Sequence, residues 1–193
     1  MVELTKKLQT DESVEGLITF VNYDLSHAPA RAYHIDKILR HAKNIKHGLW
    51  RELVEELGRL TTVKTYSFKN RVVLGARTMQ AGRLIGVTTY TGIVNYGALG
   101  TGSTAVTDAD SVLDTEVKRK QVASTAQTND QVSIDFYYSK SDTNGTYQEF
   151  GLFIDGTSTV DTGLMFNRAL TGGWTKSSLE SMTVSIQINI NAV

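Results

Sequence analysis

Ser181-Met182-Thr183-Val184-Ser185-Ile186-Gln187-Ile188-Asn189-Ile190-Asn191-Ala192 carries the clearest structural signal in the chain. Met182, Val184, Ile186, Ile188 and Ile190 alternate with Thr183, Ser185, Gln187 and Asn189, a period of two that makes one face apolar and the other polar. Such a strand belongs to an antiparallel sheet with one buried and one wet face. Upstream, residues 131–139 repeat the pattern, with Val132, Ile134, Phe136 and Tyr138 set against Ser133, Asp135 and Tyr137. Asn129 and Asp130 separate this strand from one at residues 116–127, making a hairpin. Asn144-Gly145 and Asp155-Gly156 are strong turn dipeptides and bracket a strand at residues 147–154. A further arm is expected at 162–170, and strands at roughly 10-residue spacing with such turns predict an antiparallel sandwich.

Toward the N-terminus the period changes. After an expected strand at 17–23, the single proline, Pro29, marks a turn. From residue 33 to 57, Ile35, Ile38, Leu39, Ala42, Ile45, Leu49, Leu53 and Leu57 recur at steps of three and four, which predicts one amphipathic helix capped by Gly58. A helix of about 25 residues would extend nearly 40 Å. Its apolar side, with Ile38, Ile45, Leu49, Trp50, Leu53 and Leu57, is a candidate interface for a copy or a partner. A strand is expected at 62–68, then a helix at 70–85 with Asn70 as N-cap and Val72, Val73, Ala76, Met79 and Leu84 buried. Residues 87–98 read as a strand running into Gly97, Gly100 and Gly102, and 107–115 as a short helix in which Thr107 and Asp110 form a capping-box-like pair. The fold class predicted is α+β, an N-terminal helical part followed by an antiparallel β-sandwich, divided as 1–60 (helical docking and assembly region) and 61–193 (sandwich with one packed helix).

Composition narrows the chemistry. The chain has 193 residues, 40% hydrophobic and 21% charged, which suits a folded domain rather than a disordered one. Zero cysteines exclude disulfides and thiolate sites. Lys plus Arg and Asp plus Glu are both 20, so the broad basic surface usual for nucleic-acid binding is not expected. The balance is uneven along the chain: residues 61–99 hold five basic and no acidic residues, and 100–193 hold six basic and eleven acidic. That split predicts complementary faces within or between subunits, or simply solvated surface. Residues 1–10 mix Lys6, Lys7 and Glu3 with polar residues and lack the apolar run of a secretory signal, and the longest apolar runs are far short of the roughly 20 residues of a membrane span.

No catalytic, cofactor or metal site is expected. The four histidines, His27, His34, His41 and His47, fall in one region; His34 and His41 are seven apart on one helix face, without the spacing or the third ligand of a known zinc site. Residues 97–102 are glycine-rich but lack the Gly-Lys-Ser/Thr of a phosphate cradle, and no Gly-x-Ser-x-Gly elbow occurs. With no histidine after residue 47, a nucleophile in the β region would have to pair with one across the two halves. Among the β-region aromatics, alternation sends about half inward and leaves Tyr137, Tyr147 and Trp174 as candidates for an exposed ligand surface, a glycan being the ligand class.

The segments Ile93-Val94-Asn95-Tyr96-Gly97-Ala98-Leu99-Gly100-Thr101-Gly102-Ser103-Thr104-Ala105, Asp108-Ala109-Asp110 and Leu113-Asp114-Thr115-Glu116-Val117-Lys118-Arg119-Lys120 together resemble a β-domain of tailed-bacteriophage virion structural proteins. The likeness continues in Asn144-Gly145-Thr146-Tyr147-Gln148-Glu149-Phe150-Gly151-Leu152-Phe153, Phe166-Asn167-Arg168-Ala169-Leu170, Thr175-Lys176-Ser177-Ser178 and Thr183-Val184-Ser185-Ile186, and covers about residues 70–190. The resemblance implies a non-enzymatic part of a tail, neck or fibre, or alternatively a capsid decoration protein, while the exposed aromatics Tyr137, Tyr147 and Trp174 offer a carbohydrate- or receptor-binding module as a further alternative. It implies a homo-oligomer with other virion proteins as partners, located in the virion after assembly in the host cytoplasm, with no cofactor, nucleic acid or membrane.

Overall fold

The computed structural model describes residues 14–142 and 144–190; the signal-free reading of residues 1–10 and the last two residues of the strand expected at 181–192 lie outside them. Strand accounts for 47% and helix for 21%. The alternating stretch forms β11 (Glu180–Ile190), with Met182, Val184, Ile186 and Ile188 buried and Gln187 exposed. It pairs antiparallel with β8 (Gln131–Tyr138) on one side and with β1 (Val14–Asp24) on the other. β1 also pairs with β3 (Thr62–Lys69). Beyond β8 lie β7 (Ser124–Thr128) and the two-residue β2 (Ile45–Lys46), which runs parallel to β7. The second sheet has the order β4 (Arg71–Val72), β10 (Leu164–Lys176), β9 (Gly145–Ile154), β5 (Val94–Gly100), β6 (Glu116–Gln121).

The two sheets are joined at both margins. β3 runs through Asn70 into β4, and β6 runs through Val122 and Ala123 into β7. The corner residues are hydrogen-bonded to both sides, Val122 N–H to the Asn95 carbonyl at 3.1 Å and Ala123 N–H to the Asp135 carbonyl at 2.8 Å. The strand path therefore passes from β1 through β3–β4, β10, β9, β5, β6–β7, β8 and β11 back to β1, a curled ring in which bent strands make the corners. Its interior holds Ile18, Phe20, Phe136, Tyr138, Phe150, Leu152 and Val184, with Phe20 edge-on to Phe68, Phe150 and Trp174 at 5.4–6.0 Å.

This corrects the expectation of an N-terminal helical part followed by an antiparallel sandwich. Among the described residues the fold is mostly β, three helices are interspersed among the strands, and the sheet is mixed because of β2. β1 lies within the first 60 residues, yet it pairs with the last strand, so the first segment is built into the ring.

The long helix is also divided, into α1 (Ala30–Arg40) and α2 (His47–Leu60). The helical period continues through the break, but Asn44 takes a left-handed backbone (φ +48°), and Ile45 leaves the helix to bond the Ala123 carbonyl at 2.9 Å. Asparagine tolerates that conformation and β-branched residues do not. Asn44→Val is expected to destabilise by about 1–2 kcal/mol and Asn44→Gly to leave stability nearly unchanged, as read by urea unfolding. The two helices lie on the outer face of the first sheet and form a second core of Tyr23, Leu25, Ile35, Leu39, Trp50, Leu57 and Tyr137. Their cover explains why the β8 face expected to be wet carries buried Asp135 and Tyr137, and why Thr183 of β11 is buried with its hydroxyl 3.2 Å from that of Tyr23.

The third helix is α3 (Leu74–Leu84), with Val73 rather than Asn70 at its start. Val72, Val73 and Ala76 are buried as the spacing required, but Leu84 is 89% exposed. Residues 87–93, the first part of the strand expected at 87–98, form an irregular loop that leads into β5, and the helix expected at 107–115 is absent.

Candidate functional site

Three buried polar constructions and one apolar mouth are the chemically distinctive places in the ring. The largest starts where β5 ends. Residues 101–115 leave the sheet through Gly100-Thr101-Gly102 and return as β6. A loop of this length needs partners for its backbone, and Glu149 of β9, fully buried, supplies them. Its Oε1 accepts the N–H of Gly102 at 3.1 Å and of Thr115 at 2.9 Å, and its Oε2 accepts the Asp114 N–H at 3.1 Å.

The same Oε2 accepts Arg168 Nε of β10 at 2.8 Å. Arg168, 2% exposed, then reaches Asp110 Oδ2 at 2.8 Å and Thr104 Oγ1 at 3.1 Å. Asp110 also accepts the Thr107 hydroxyl at 2.6 Å and its N–H at 3.1 Å, so the pair read as a helix cap is real but closes a loop instead. Burial pushes the Asp110 carboxyl up, and the Thr107 and Arg168 hydrogen bonds outweigh it, leaving the group below its ordinary value. The glycines are required by this closeness. A Cβ at Gly100 would stand 2.4 Å from Glu149 Oε1, and one at Gly102 would stand 2.3 Å from the Asp114 Cβ.

The second construction is built on Arg119 of β6. Its Nε and Nη2 hold Glu116 at 2.6 and 2.7 Å, and its Nη1 donates to the Thr157 and Thr162 carbonyls at 3.0 Å each. The guanidinium lies 4.7 Å from the centre of the Phe153 ring, and both charged side chains are nearly sealed from solvent. Buried and fully hydrogen-bonded, such a pair fixes a loop in one arrangement, here the turn at 155–163.

The third brings a histidine from α2 to the sheet. His47 Nδ1 lies 3.5 Å from Asp135 Oδ2 and 3.5 Å from Ser124 Oγ, and Ser185 donates to Asp135 Oδ1 at 2.7 Å. Burial pushes the Asp135 carboxyl up against the opposing pull of Ser185 and His47. This is the pairing across the two halves that a nucleophilic site would have needed. Its geometry does not make a relay, because serine and carboxylate both face Nδ1, whereas proton relay uses the two ring nitrogens separately. Its evident work is to tie α2 to β7 and β8.

The other sequence-selected residues fall as follows. His27, His34 and His41 are exposed. Among the described residues no group of three His, Cys, Asp or Glu is placed to hold a metal ion. Of the candidate interface, Trp50 and Leu57 are buried, Ile45 and Leu53 pack against the second core, and only Ile38 (45%) and Leu49 (51%) remain exposed. Of the candidate ligand surface, Tyr137 and Tyr147 are buried, the first donating to Asp36 of α1 at 2.8 Å. Trp174 is half-buried with its indole N–H on Asn22, so the three do not form a platform. The helices that cover the outer face are the cause for Tyr137. Glu149 was missed as a linchpin; its signal was a carboxylate directly preceding the apolar run Phe150–Ile154 of β9.

Lys176, at the end of β10, is 1% exposed and donates to Asn144 Oδ1 at 2.7 Å. Burial pushes its ammonium down from 10.5 to about 8, with Asp142 and Glu180 pulling the other way. Between those two values the unfolded chain holds a proton that the folded chain has released, so stability rises with pH. Above about 10 the tyrosines reverse the trend, since burial raises Tyr147 to about 12 while unfolded tyrosine ionises near 10. Urea unfolding from pH 8 to 10 is expected to show wild type gaining stability relative to Lys176→Met; parallel profiles would contradict the assignment.

An apolar cleft of about 280 Å³ opens at one end of the ring, lined by Ile93, Val94, Val132, Ile134, Phe166, Ile188 and Ile190. At the C-terminal end of α3, Leu84 and Ile85 are 89% and 84% exposed. Comparison with family models, with curated proteins and with solved structures finds no match for this chain.

Proposed function

We propose that the chain is a non-enzymatic structural subunit of a tailed-bacteriophage virion, in the tail, neck or fibre apparatus, assembled in the host cytoplasm. It works by contact with copies of itself and with other virion proteins, using no cofactor, nucleic acid or membrane. The observation that carries this reading is where the resemblance segments lie. Gly100 to Gly102, Asp110, Asp114 to Thr115, Glu149 and Arg168 come from separate quoted pieces, and they meet in one buried lock that shapes a long surface loop. Such a lock spends its charged groups on holding a surface rigid, which suits a contact module better than a reaction centre. Among the described residues no helix is long and apolar enough to cross a membrane.

Light scattering coupled to size separation tests the proposal. The expected result is a mass of at least twice 21.3 kDa, or a complex with another virion component. A strictly monomeric chain that binds no virion component contradicts it. Retention on assembled heads with no binding to tail parts would move the subunit to head decoration.

A further inference from the structure

We infer that Lys176 and Asn144 join in a covalent cross-link within one chain, an amide from Lys176 Nζ to Asn144 Cγ formed with loss of ammonia. Lys176 ends β10 and Asn144 directly precedes β9, with Lys176 opposite Gly145 in the antiparallel register. The amide therefore closes the open end of the β9–β10 hairpin, far from its turn at 155–163. Lys176 is 1% exposed, and its amine meets two neutral oxygens, Asn144 Oδ1 at 2.7 Å and the Ser177 carbonyl at 3.4 Å. A lysine sealed from water, with no charge on either of those partners, is poorly held as a cation.

Asn144 Cγ is one carbonyl bond, about 1.2 Å, beyond Oδ1, so Nζ stands no more than about 3.9 Å from it. Attack starts from about 3–3.5 Å, and a small turn of the exposed amide brings the pair into range. The attacking form is the neutral amine. Burial lowers Lys176 to about 8, against the pull of Asp142, Glu180 and Asp36 and with a smaller push from Lys120. Roughly a tenth of the amine is then neutral at pH 7, against less than about one part in a thousand for an ordinary lysine. Nζ gives its electron pair to Cγ, and the Nζ–Cγ bond forms as the Cγ–Nδ2 bond breaks. One proton passes from Nζ to Nδ2, which leaves as ammonia, so amine plus carboxamide become amide plus ammonia with no oxidant or reductant. Asp142, two residues from Asn144 and fixed by the Ser139 N–H at 2.7 Å, is the carboxylate that acts most strongly on Lys176 and carries that proton. Holding amine and carboxamide side by side removes the entropy cost of bringing them together.

Mass spectrometry of tryptic peptides, after incubation of the full chain at about pH 9, tests the inference. Cleavage after Lys140, Arg168 and Lys176 separates residues 141–168 from 169–176. An acylated Lys176 resists trypsin, so the expected product is 141–168 joined to 169–193, lighter than the two together by about 17 Da for the ammonia lost. The link is expected to form at least about tenfold more slowly at about pH 6, where the amine is charged, and not at all in Lys176→Arg, whose guanidinium stays protonated. Linked chain has no amine left to titrate at Lys176, so it should lose the stability gain that unlinked chain shows between pH 8 and 10. Loss of ammonia without joined peptides overturns the inference, because the backbone nitrogen of Gly145 can close a succinimide on the same Cγ. Separate peptides with no loss, equal rates at the two pH values, a link made by Lys120 instead, or a doubled intact mass from linkage between two chains each overturn it as well.

Discussion

Glu149→Ala is expected to be the most damaging single substitution on the polar side of the fold. The change removes the acceptor for the N–H groups of Gly102, Asp114 and Thr115 and leaves Arg168 buried without one of its two carboxylates. Breaking one side of a buried pair costs about 3–5 kcal/mol, much of it the penalty of the charge left behind. For a chain of this size each kcal/mol shifts the melting temperature by about 2–4 °C, so a fall of roughly 10–15 °C is expected. Glu149→Gln keeps the shape and two acceptor lone pairs, and should lose less. A Glu149→Ala melting curve within a few degrees of wild type would show that residues 101–115 do not depend on this carboxylate. Exposed pairs give the contrast. Arg71 and Arg77 reach Asp108 at 2.8 Å each, but all three side chains are more than a third exposed, and Arg71→Ala should cost no more than about 1 kcal/mol.

Phe20→Ala is the expected counterpart in the apolar core. Phe20 lies inside the ring, fully buried, and meets Phe68, Phe150 and Trp174 edge to face. Its ring links β1 to strands of both sheets, so the cavity left by truncation cannot be closed by moving one neighbour. Loss of about 3–5 kcal/mol is expected, with a flattened near-ultraviolet circular dichroism signal from the loosened aromatics. A loss under 1 kcal/mol would mean that the interior is loosely packed there.

The strands were legible because their signals are local. Alternation in β8 and β11, and the turn dipeptides Asn129-Asp130, Asn144-Gly145 and Asp155-Gly156, depend on neighbours in sequence, and the elements follow to within a few residues. What could not be read depends on distant partners. The helical period from Ile35 to Leu57 is unbroken on paper. The division at Asn44 becomes favourable only because Ile45 finds a carbonyl on the corner between β6 and β7. The bend at Val122 and Ala123, which turns one expected strand into two, likewise exists because Asn95 and Asp135 supply bonds from different sheets.

The candidate site shows the same division. Thr107 and Asp110 were recognised as a local pair, and they are one, yet their destination is Arg168, more than fifty residues away. Tyr137 was placed outward correctly by alternation, but outward meant under α1, where its hydroxyl meets Asp36. Leu84 was assigned to the buried side by helical spacing, yet as the last residue of α3 it projects into solvent.

Protein mass spectrometry of purified virions, from the infected host that carries this coding sequence, addresses the structural role most directly. The chain is expected in those particles at a fixed ratio to the major tail protein. Abundant chain in the infected-cell lysate, with none in particles purified from it, would contradict a structural role in the virion.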